Sequence, residues 1–361
     1  MRLLKKIPLF IFAAVNLLLM AAMLFCAYTS CLPPQEHPQW SYFGLLFPVF
    51  LAANACFVLF WLVFKWKWTV LPLAGMVLCA GSIRAYFPVN IPHEPPEGSI
   101  KVLSYNVMSF AGERKKDNSA NWEENPILKY LLESGADIIC LQEANKSFVD
   151  RALDSITHYY PYHYRELKAD NYMVCFSKYP IDSAEEIKYP TKSNYTFAYR
   201  ICVEKDTLLV IHNHLESYRL TSADKDDYKS IIKNYKHPEA NDSETKYQGL
   251  TEKISTHDSI RGLQVDSVMA YLEANQGKHI LLCGDLNATP VSYIHHRLTS
   301  QLDDAYTRSG NGPGISYHRY GMYFRLDHIM VSPNIKAYGA KVDSSIKDSD
   351  HYPIYCFIKL D

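Results

Sequence analysis

Polar side chains that could do chemistry follow several short apolar runs of this 361-residue sequence. In LLCGDLNATP, Asp285 and Asn287 come directly after an apolar run and a glycine. Comparable positions are held by Asn106, Glu143, His214, Asp327, Asp350 and His351. Each of these residues alone also fits a turn or a structural role. Their repeated placement favours one site built on the ends of strands, where a rigid scaffold can position it.

The residue types fit hydrolysis of a phosphoester. Glu143, Asp350 and the amide oxygen of Asn106 offer the oxygen ligands that Mg²⁺ or Mn²⁺ prefers. Histidines transfer protons near neutral pH, and Asp285 could align or deprotonate a water molecule. The uncharged amide of Asn287 could hold a phosphate oxygen without repelling it. Phosphoester hydrolysis uses this combination of a metal ion, an in-line water and neutral or cationic groups around the phosphate.

The elements that must position these residues are strands and helices mixed along the chain. Short apolar runs separated by turn residues recur from residue 99 onward, and helical patterns cover Asn125–Ser134 and Ser259–Ala274. This mixture predicts an α/β (α+β) domain over residues 99–361. The polar, charge-rich residues 221–258 predict a surface insertion beside the site.

Residues 1–87 differ in composition and predict a helical transmembrane region. Three apolar segments, 7–27, 42–64 and 68–86, reach or approach the roughly 20 residues that a helix needs to cross a bilayer. A signal peptide and buried globular helices are the alternatives, but the close succession of the segments favours three spans. The proline-rich residues 88–98 predict a semi-rigid linker.

Basic residues indicate the orientation of these spans. RLLKK (2–6) precedes the first span and KWK (65–67) precedes the third, whereas residues 30–41 contain no Lys or Arg. The positive-inside rule therefore places the N-terminus in the cytoplasm and the large domain outside it, in an integral, multi-pass membrane protein. If the short third segment does not cross, the large domain lies in the cytoplasm instead.

Charge and cysteine content weigh against two kinds of function. Residues 100–361 contain 31 Lys and Arg against 35 Asp and Glu, so this region lacks the basic character of proteins that grip long nucleic acids nonspecifically. Its cysteines lie in apolar runs without CxxC spacing. They predict free buried thiols and no cysteine-based zinc site.

The series SYNV, LQEA, HNHLES, GDLNATP, RLDHI and SDHYPI resembles the endonuclease/exonuclease/phosphatase superfamily with the deoxyribonuclease-I-like fold. The resemblance covers about residues 98–361, and the transmembrane region indicates a membrane-anchored member of bacterial type. It implies a four-layered α/β sandwich, in which two packed mixed β-sheets are flanked by helices. It also implies a hydrolase of phosphoester bonds that depends on Mg²⁺ or Mn²⁺.

The resemblance also implies which residues hold the metal ion and the phosphate. Asn106 and Glu143 would bind the divalent ion, and Asp350 would contribute on its far side. His214 would contact the phosphate or assist the leaving group. Asn287 would hold the phosphate.

The remaining implied roles concern water and protons. Asp285 would orient the nucleophilic water, and His351 would be the acid/base or phosphate-polarising group, held in its tautomer by Asp327. His328 stands where the family often has an aromatic residue, which we interpret as strand variation. His212 has no role in the resemblance and is expected to pack as a strand residue.

Other candidate residues are weaker. His295 and His296 are expected on a helix surface rather than as a ligand pair. Arg319 and Arg325 could meet a phosphate. The tyrosine-rich segments 158–164 and 317–324 could line a groove, although ordinary strand propensity also explains them.

The sequence leaves the substrate open, because this superfamily hydrolyses DNA, RNA, phosphoinositides, sphingomyelin and small nucleotides. Membrane attachment and an acidic catalytic region favour a lipid or small phosphoester, with the lipid bilayer as second partner; no protein partner is evident. A metal-dependent nuclease is the first alternative. A noncatalytic binding module on the same fold is the second, and the complete set of polar residues argues against it.

Overall fold

The computed structural model describes residues 7–111, 122–168, 171–191, 194–233 and 240–360 of the chain. The helices are α1 (Ile7–Tyr28), α2 (Phe47–Phe64), α3 (Val70–Leu78), α4 (Ala80–Tyr86), α5 (Met108–Ala111), α6 (Pro126–Glu133), α7 (Lys146–Tyr159), α8 (Ser222–Lys233), α9 (Ala240–Ala274), α10 (Tyr293–Thr299) and α11 (Ala305–Ser309). Short 3₁₀ helices cover Thr29–Cys31, Pro38–Leu46, Trp66–Thr69 and Trp122–Glu124.

Strands begin at Ile100, directly after the proline-rich residues 88–98. They are β1 (Ile100–Asn106), β2 (Ile138–Asn145), β3 (Tyr162–Lys168), β4 (Asn171–Ser177), β5 (Ile181–Glu186), β6 (Tyr195–Val203), β7 (Asp206–His214), β8 (His279–Asp285), β9 (Asp303–Asp304), β10 (Asp327–Val331), β11 (Ile335–Val342) and β12 (Ile354–Leu360). They form two six-stranded sheets with the orders β11-β12-β1-β2-β4-β3 and β5-β6-β7-β8-β10-β9. Both sheets are mixed, because β1–β2 and β7–β8 pair in parallel and their other neighbours are antiparallel.

Side-chain alternation along the strands produces a sandwich of four layers. In β1, Val102 belongs to the apolar core between the two sheets, whereas Leu103 and Tyr105 pack with α6 and α7 on the outer face. The second sheet packs its outer face against α9 and α10 in the same way. Successive strand residues point to opposite faces, so apolar residues at neighbouring positions serve both layers. The predicted α/β sandwich with two packed mixed sheets is confirmed.

The N-terminal helices are apolar enough to cross a membrane. Leu9–Cys31 and Pro38–Phe64 each satisfy the length and hydropathy of a span. The third predicted segment, 68–86, is not one helix: α3 and α4 meet at an angle of 70°. The break lies at Cys79, whose backbone N–H donates to the Gly75 carbonyl, as in a helix, and also to the Val77 carbonyl, as in a γ-turn.

The segment between α1 and α2 packs on the sandwich. The Gln35 amide donates to Asp266 of α9 at 3.0 Å, and the Ser259 hydroxyl donates to the Pro34 carbonyl at 2.7 Å. A Cβ on Gly44 would lie 2.1 Å from the backbone oxygen of Val291, so a glycine is needed for this close approach. The chain between the first two apolar helices is therefore a contact surface for the large domain.

Candidate active site

Strand ends from both sheets bring the predicted residues to one edge of the sandwich. Asp285 at the end of β8 is the register partner of His214 in β7 and of Asp327 in β10. Asn106 at the end of β1 reaches over from the first sheet, and its Nδ2 donates to Asp285 at 3.1 Å and to Glu143 at 3.0 Å. The site is therefore assembled by the meeting of the two sheets.

The Gly-Asp-Leu-Asn sequence fixes two side chains through one tight turn. Gly284 has a φ of 132°, and a Cβ there would lie 1.9 Å from the backbone oxygen of Asn213 in the neighbouring strand. Asn287 has a φ of 49°, a left-handed conformation that asparagine tolerates, and its backbone N–H donates to Asp285 at 2.9 Å. Its side-chain nitrogen donates to the Leu215 carbonyl at 3.0 Å. An amide nitrogen carries two N–H groups, so one remains for a phosphate oxygen.

His351 lies between two buried carboxylates. Its Nδ1 is 2.7 Å from Asp327 Oδ2, and its Nε2 is 3.6 Å from Asp285 Oδ2. The three residues are exposed by 4% or less. The backbone N–H of His351 donates to the Ser349 hydroxyl at 3.2 Å, which fixes the backbone from which the ring extends. The imidazole is therefore fixed in one orientation toward Asp285.

The charges around His351 favour a protonated ring. Burial alone would lower the pKa of His351, but the negative charges of Asp327 and Asp285 outweigh burial and raise this pKa well above its ordinary value. Burial raises the pKa of the Asp285 carboxyl, and the adjacent His351 offsets part of that effect. The chain thus holds a proton at Nε2 of His351, next to the carboxylate that is suited to align a water molecule.

Glu143 and His214 form a more open side of the site. His214 Nε2 lies 3.5 Å from Glu143 Oε1, and the Glu143 side chain is 37% exposed. Glu143 has a φ of 55° and lies where the register between β2 and β4 shifts. Such an irregularity redirects a side chain at the end of a strand, and here it turns Glu143 toward Asn106.

The donor set fits a hard divalent cation. Among the described residues, Asp285, Asp327 and His351 bring possible ligand atoms within 4.8 Å of one another, but a protonated His351 has no lone pair for an ion. The donors left for a cation are therefore the half-exposed Glu143 carboxylate and the Asn106 amide 3.0 Å from it. Carboxylate oxygens of this kind suit Mg²⁺ or Mn²⁺. Asn106 Oδ1 accepts from the Met108 N–H at 3.2 Å, so the amide must turn for this oxygen to face an ion beside Glu143.

Asp350, the third predicted ligand, makes no hydrogen bond to Glu143 or Asn106 among the described residues. Its carboxylate accepts from the Ser349 hydroxyl at 3.4 Å, and within the described ranges it is absent from the ligand group that contains Asp285. Its negative charge contributes to the raised pKa of His351. The metal-binding role of Asp350 stays a prediction.

Sequence reasoning missed the residues that support the site from behind. Arg261 and Gln264 of α9 bind both backbone groups of Glu216, the carbonyl at 2.5 Å and the N–H at 2.9 Å. The Ser316 hydroxyl accepts from the backbone N–H of Asp327 at 3.1 Å. The sequence does contain a pattern that could have indicated this support. In RGLQ an arginine and a glutamine stand three residues apart, which places both on one face of a helix.

The remaining histidines and Arg325 have structural positions. His212 is fully buried beside Gln142, and burial together with a neighbouring histidine lowers its pKa to about 3. It packs as a strand residue, as expected. The expectation of a helix surface is wrong for His295, which is buried 2.9 Å from Asp304 because α10 turns this face onto the second sheet. Arg325 is buried and donates to the C-terminal end of α4, so it does not reach a phosphate.

The fold and site together define the class of protein. A profile of the Endonuclease/Exonuclease/phosphatase family matches residues 103–351, more than half of the chain, and the chain belongs to this family. Members of the superfamily are metal-dependent hydrolases of phosphoesters. A domain of unknown function (DUF8431) matches residues 9–86. No curated protein matches the chain.

Solved structures share the fold at low sequence identity. An endonuclease/exonuclease/phosphatase from Bacteroides vulgatus is 13% identical with a TM-score of 0.52, over 73% of this chain and 100% of its own. The human Nocturnin catalytic domain with bound sulfate is 18% identical with a TM-score of 0.51, over 76% of this chain and 96% of its own. Humanized D. rerio TDP2 is 15% identical with a TM-score of 0.51, over 72% of this chain and 99% of its own. These similarities support the fold alone.

Proposed function

We propose that this chain is a membrane-anchored phosphoesterase that uses Mg²⁺ or Mn²⁺ to hydrolyse a phosphodiester or phosphomonoester by in-line attack of water. The observation that carries the proposal is the buried Asp285–His351–Asp327 array, in which Nδ1 of His351 is 2.7 Å and Nε2 is 3.6 Å from the flanking carboxylates. Glu143 and Asn106, with Asp350 as a further contributor, would hold the ion. The ion would offset the negative charge that develops on the phosphate.

The other residues divide the work of water attack. The Asp285 carboxylate orients the water and accepts its proton, and the free N–H of the Asn287 amide holds a phosphate oxygen. The protonated Nε2 of His351 polarises the phosphate, while Asp327 keeps the ring in one tautomer. His214, on the open side, contacts the phosphate or the leaving group.

A lipid or small phosphoester is the proposed substrate because the anchor lies close to the site. Gly44, in the segment between α1 and α2, touches Val291, which is only four residues after Asn287. Trp40 and Leu46 of the same segment are 38% and 39% exposed, and exposed tryptophan suits a membrane interface. If α1 and α2 span a bilayer, its surface therefore adjoins the catalytic edge.

Lipid hydrolysis is expected to exceed hydrolysis of nucleic acid. The full chain in lipid vesicles, with Mg²⁺ or Mn²⁺, should release product from sphingomyelin or phosphoinositide at least tenfold faster than it nicks plasmid DNA. Faster cleavage of DNA would replace the lipid assignment by a nuclease, the second candidate. Turnover of none of these substrates, nor of bis-p-nitrophenyl phosphate, would favour a noncatalytic binding module.

We also propose that the protein is multi-pass with its catalytic domain outside the cytoplasm. In support, the segment that contacts Asp266 and Ser259 includes the Lys- and Arg-free residues 30–41, which the positive-inside rule places outside. A phosphatase reporter fused after residue 361 is expected to be active, and the same reporter after Lys67 inactive. Activity in the second fusion alone would reverse the orientation.

A further inference from the structure

A second group of metal-type side chains lies on the outer face of the second sheet. His295 of α10, Asp304 of β9 and His328 of β10 are all buried, and each offers a ligand atom within 4.8 Å of the others. We propose that these residues form a site for a borderline divalent ion such as Zn²⁺, separate from the phosphoester site. His328 directly follows Asp327, but successive strand residues point to opposite faces, so the two clusters lie on opposite sides of β10.

The hydrogen bonds of His328 leave one ring nitrogen available as a ligand. Its Nε2 lies 3.0 Å from the Ala288 carbonyl, which can only accept, so the proton is on Nε2 and the lone pair is on Nδ1. Nδ1 is buried without a hydrogen-bond partner and lies 4.0 Å from Asp304 Oδ2. Two acceptors thus face each other, and a cation between them would give the unpartnered Nδ1 of His328 a partner and would add to the partners of the Asp304 carboxylate. Metal-binding histidines commonly donate their other N–H to a backbone carbonyl in this way.

Asp304 is also held in place as a ligand. Its Oδ1 accepts from the backbone N–H of Tyr306 at 2.8 Å and of Thr307 at 3.3 Å, which caps α11. Its Oδ2 accepts from the Thr307 hydroxyl at 3.0 Å and faces His295 Nε2 at 2.9 Å. These partners fix the carboxylate toward the two histidines, as outer partners of metal ligands do.

The spacing fits a small ion after minor adjustment. Zinc bonds of about 2.0–2.1 Å in a tetrahedron place ligand atoms about 3.3 Å apart. The observed separations from Asp304 Oδ2 are 2.9 Å to His295 and 4.0 Å to His328. His295 and Asp304 line a cavity of about 690 Å³ between the sandwich and α1, α3 and α4, which provides a route for the ion and room for a fourth ligand.

Ligand type separates this site from the catalytic one. Two imidazoles and one carboxylate favour Zn²⁺ or Co²⁺, whereas the oxygen-rich catalytic edge favours Mg²⁺ or Mn²⁺. Arg325 is buried near Asp304, and its positive charge opposes the ion. Its replacement by Met is therefore expected to tighten binding rather than weaken it.

The test is a metal titration of the full chain in detergent after removal of metals. His328→Gln and Asp304→Asn should each bind one Zn²⁺ per chain fewer than the wild type. Both variants should also lose the visible absorption of tetrahedral Co²⁺ that the wild type shows. In the wild type, a hundredfold excess of Mg²⁺ should not displace the Co²⁺. His296→Gln is the matched control, because His296 lines the same cavity outside the cluster, and it should retain both signals.

Unfolding of the metal-free variants, followed by circular dichroism, separates loss of the site from loss of the fold. Asp304→Asn keeps an oxygen that can cap α11 and is therefore expected to fold. It tests the site even if the His328 variant does not fold. Equal Zn²⁺ stoichiometry in the wild type and both folded variants would contradict the site and leave a structural cluster whose charge is balanced by Arg325. The outcome does not depend on turnover of any phosphoester.

Discussion

Replacement of Asp285 by Asn is expected to lower turnover by about 10²–10⁴-fold, the usual contribution of a positioned general base. Asparagine has nearly the same shape and can keep the hydrogen bond from the Asn287 backbone, but it cannot accept the proton of the attacking water. It also removes one of the two charges that flank His351 at 3.6 Å and 2.7 Å. The loss should therefore appear in kcat at saturating substrate.

Asp206→Asn is the matched control for this substitution. Asp206 is exposed at the opposite end of β7, the strand that ends at His214, so its replacement should leave turnover within about twofold. Circular dichroism and the thermal midpoint should show that the Asp285 variant is folded. Turnover within tenfold of the wild type in that variant would remove Asp285 from the role of base.

The second large effect is expected at the Asp327–His351 pair. His351→Ala and Asp327→Asn should each lower turnover by about 10²–10⁴-fold, because the first removes the proton donor and the second its orientation. Residues that act as one unit have non-additive effects. The double variant should therefore be no slower than His351→Ala alone, to within about twofold.

His158→Ala, at an exposed position of α7, is the control for loss of a histidine and should keep wild-type turnover. A double variant whose loss equals the product of the two single losses would show that the residues act independently. That result would contradict the coupling inferred from the contact of 2.7 Å between His351 Nδ1 and Asp327 Oδ2.

Much of the fold and site could be predicted because strand ends are visible in sequence. Apolar runs of strand length end in a polar residue at Asn106, His214 and Asp285, and the sheets bring these ends to one edge. The glycine directly before Asp285 is also explained by local structure, since only a glycine fits against the backbone of Asn213 at position 284. Local patterns therefore indicated which residues meet, although not their distances.

The features that sequence did not predict depend on contacts between distant segments. No proline marks the bend at Cys79 in the third apolar segment. The proline of this segment, Pro72, lies in the first turn of α3. The burial of His295 depends on its packing against Asp304, and the support of Glu216 by Arg261 depends on where a long helix crosses the sheet. Such tertiary contacts leave no periodic signal in the chain.

The central claim is that this chain hydrolyses phosphoesters with a divalent metal ion. The most direct measurement is release of p-nitrophenol from bis-p-nitrophenyl phosphate by the full chain in detergent micelles. We expect release that stops when a chelator is added and returns with excess Mg²⁺ or Mn²⁺. Absence of release with either ion, or release that the chelator does not affect, would contradict the account.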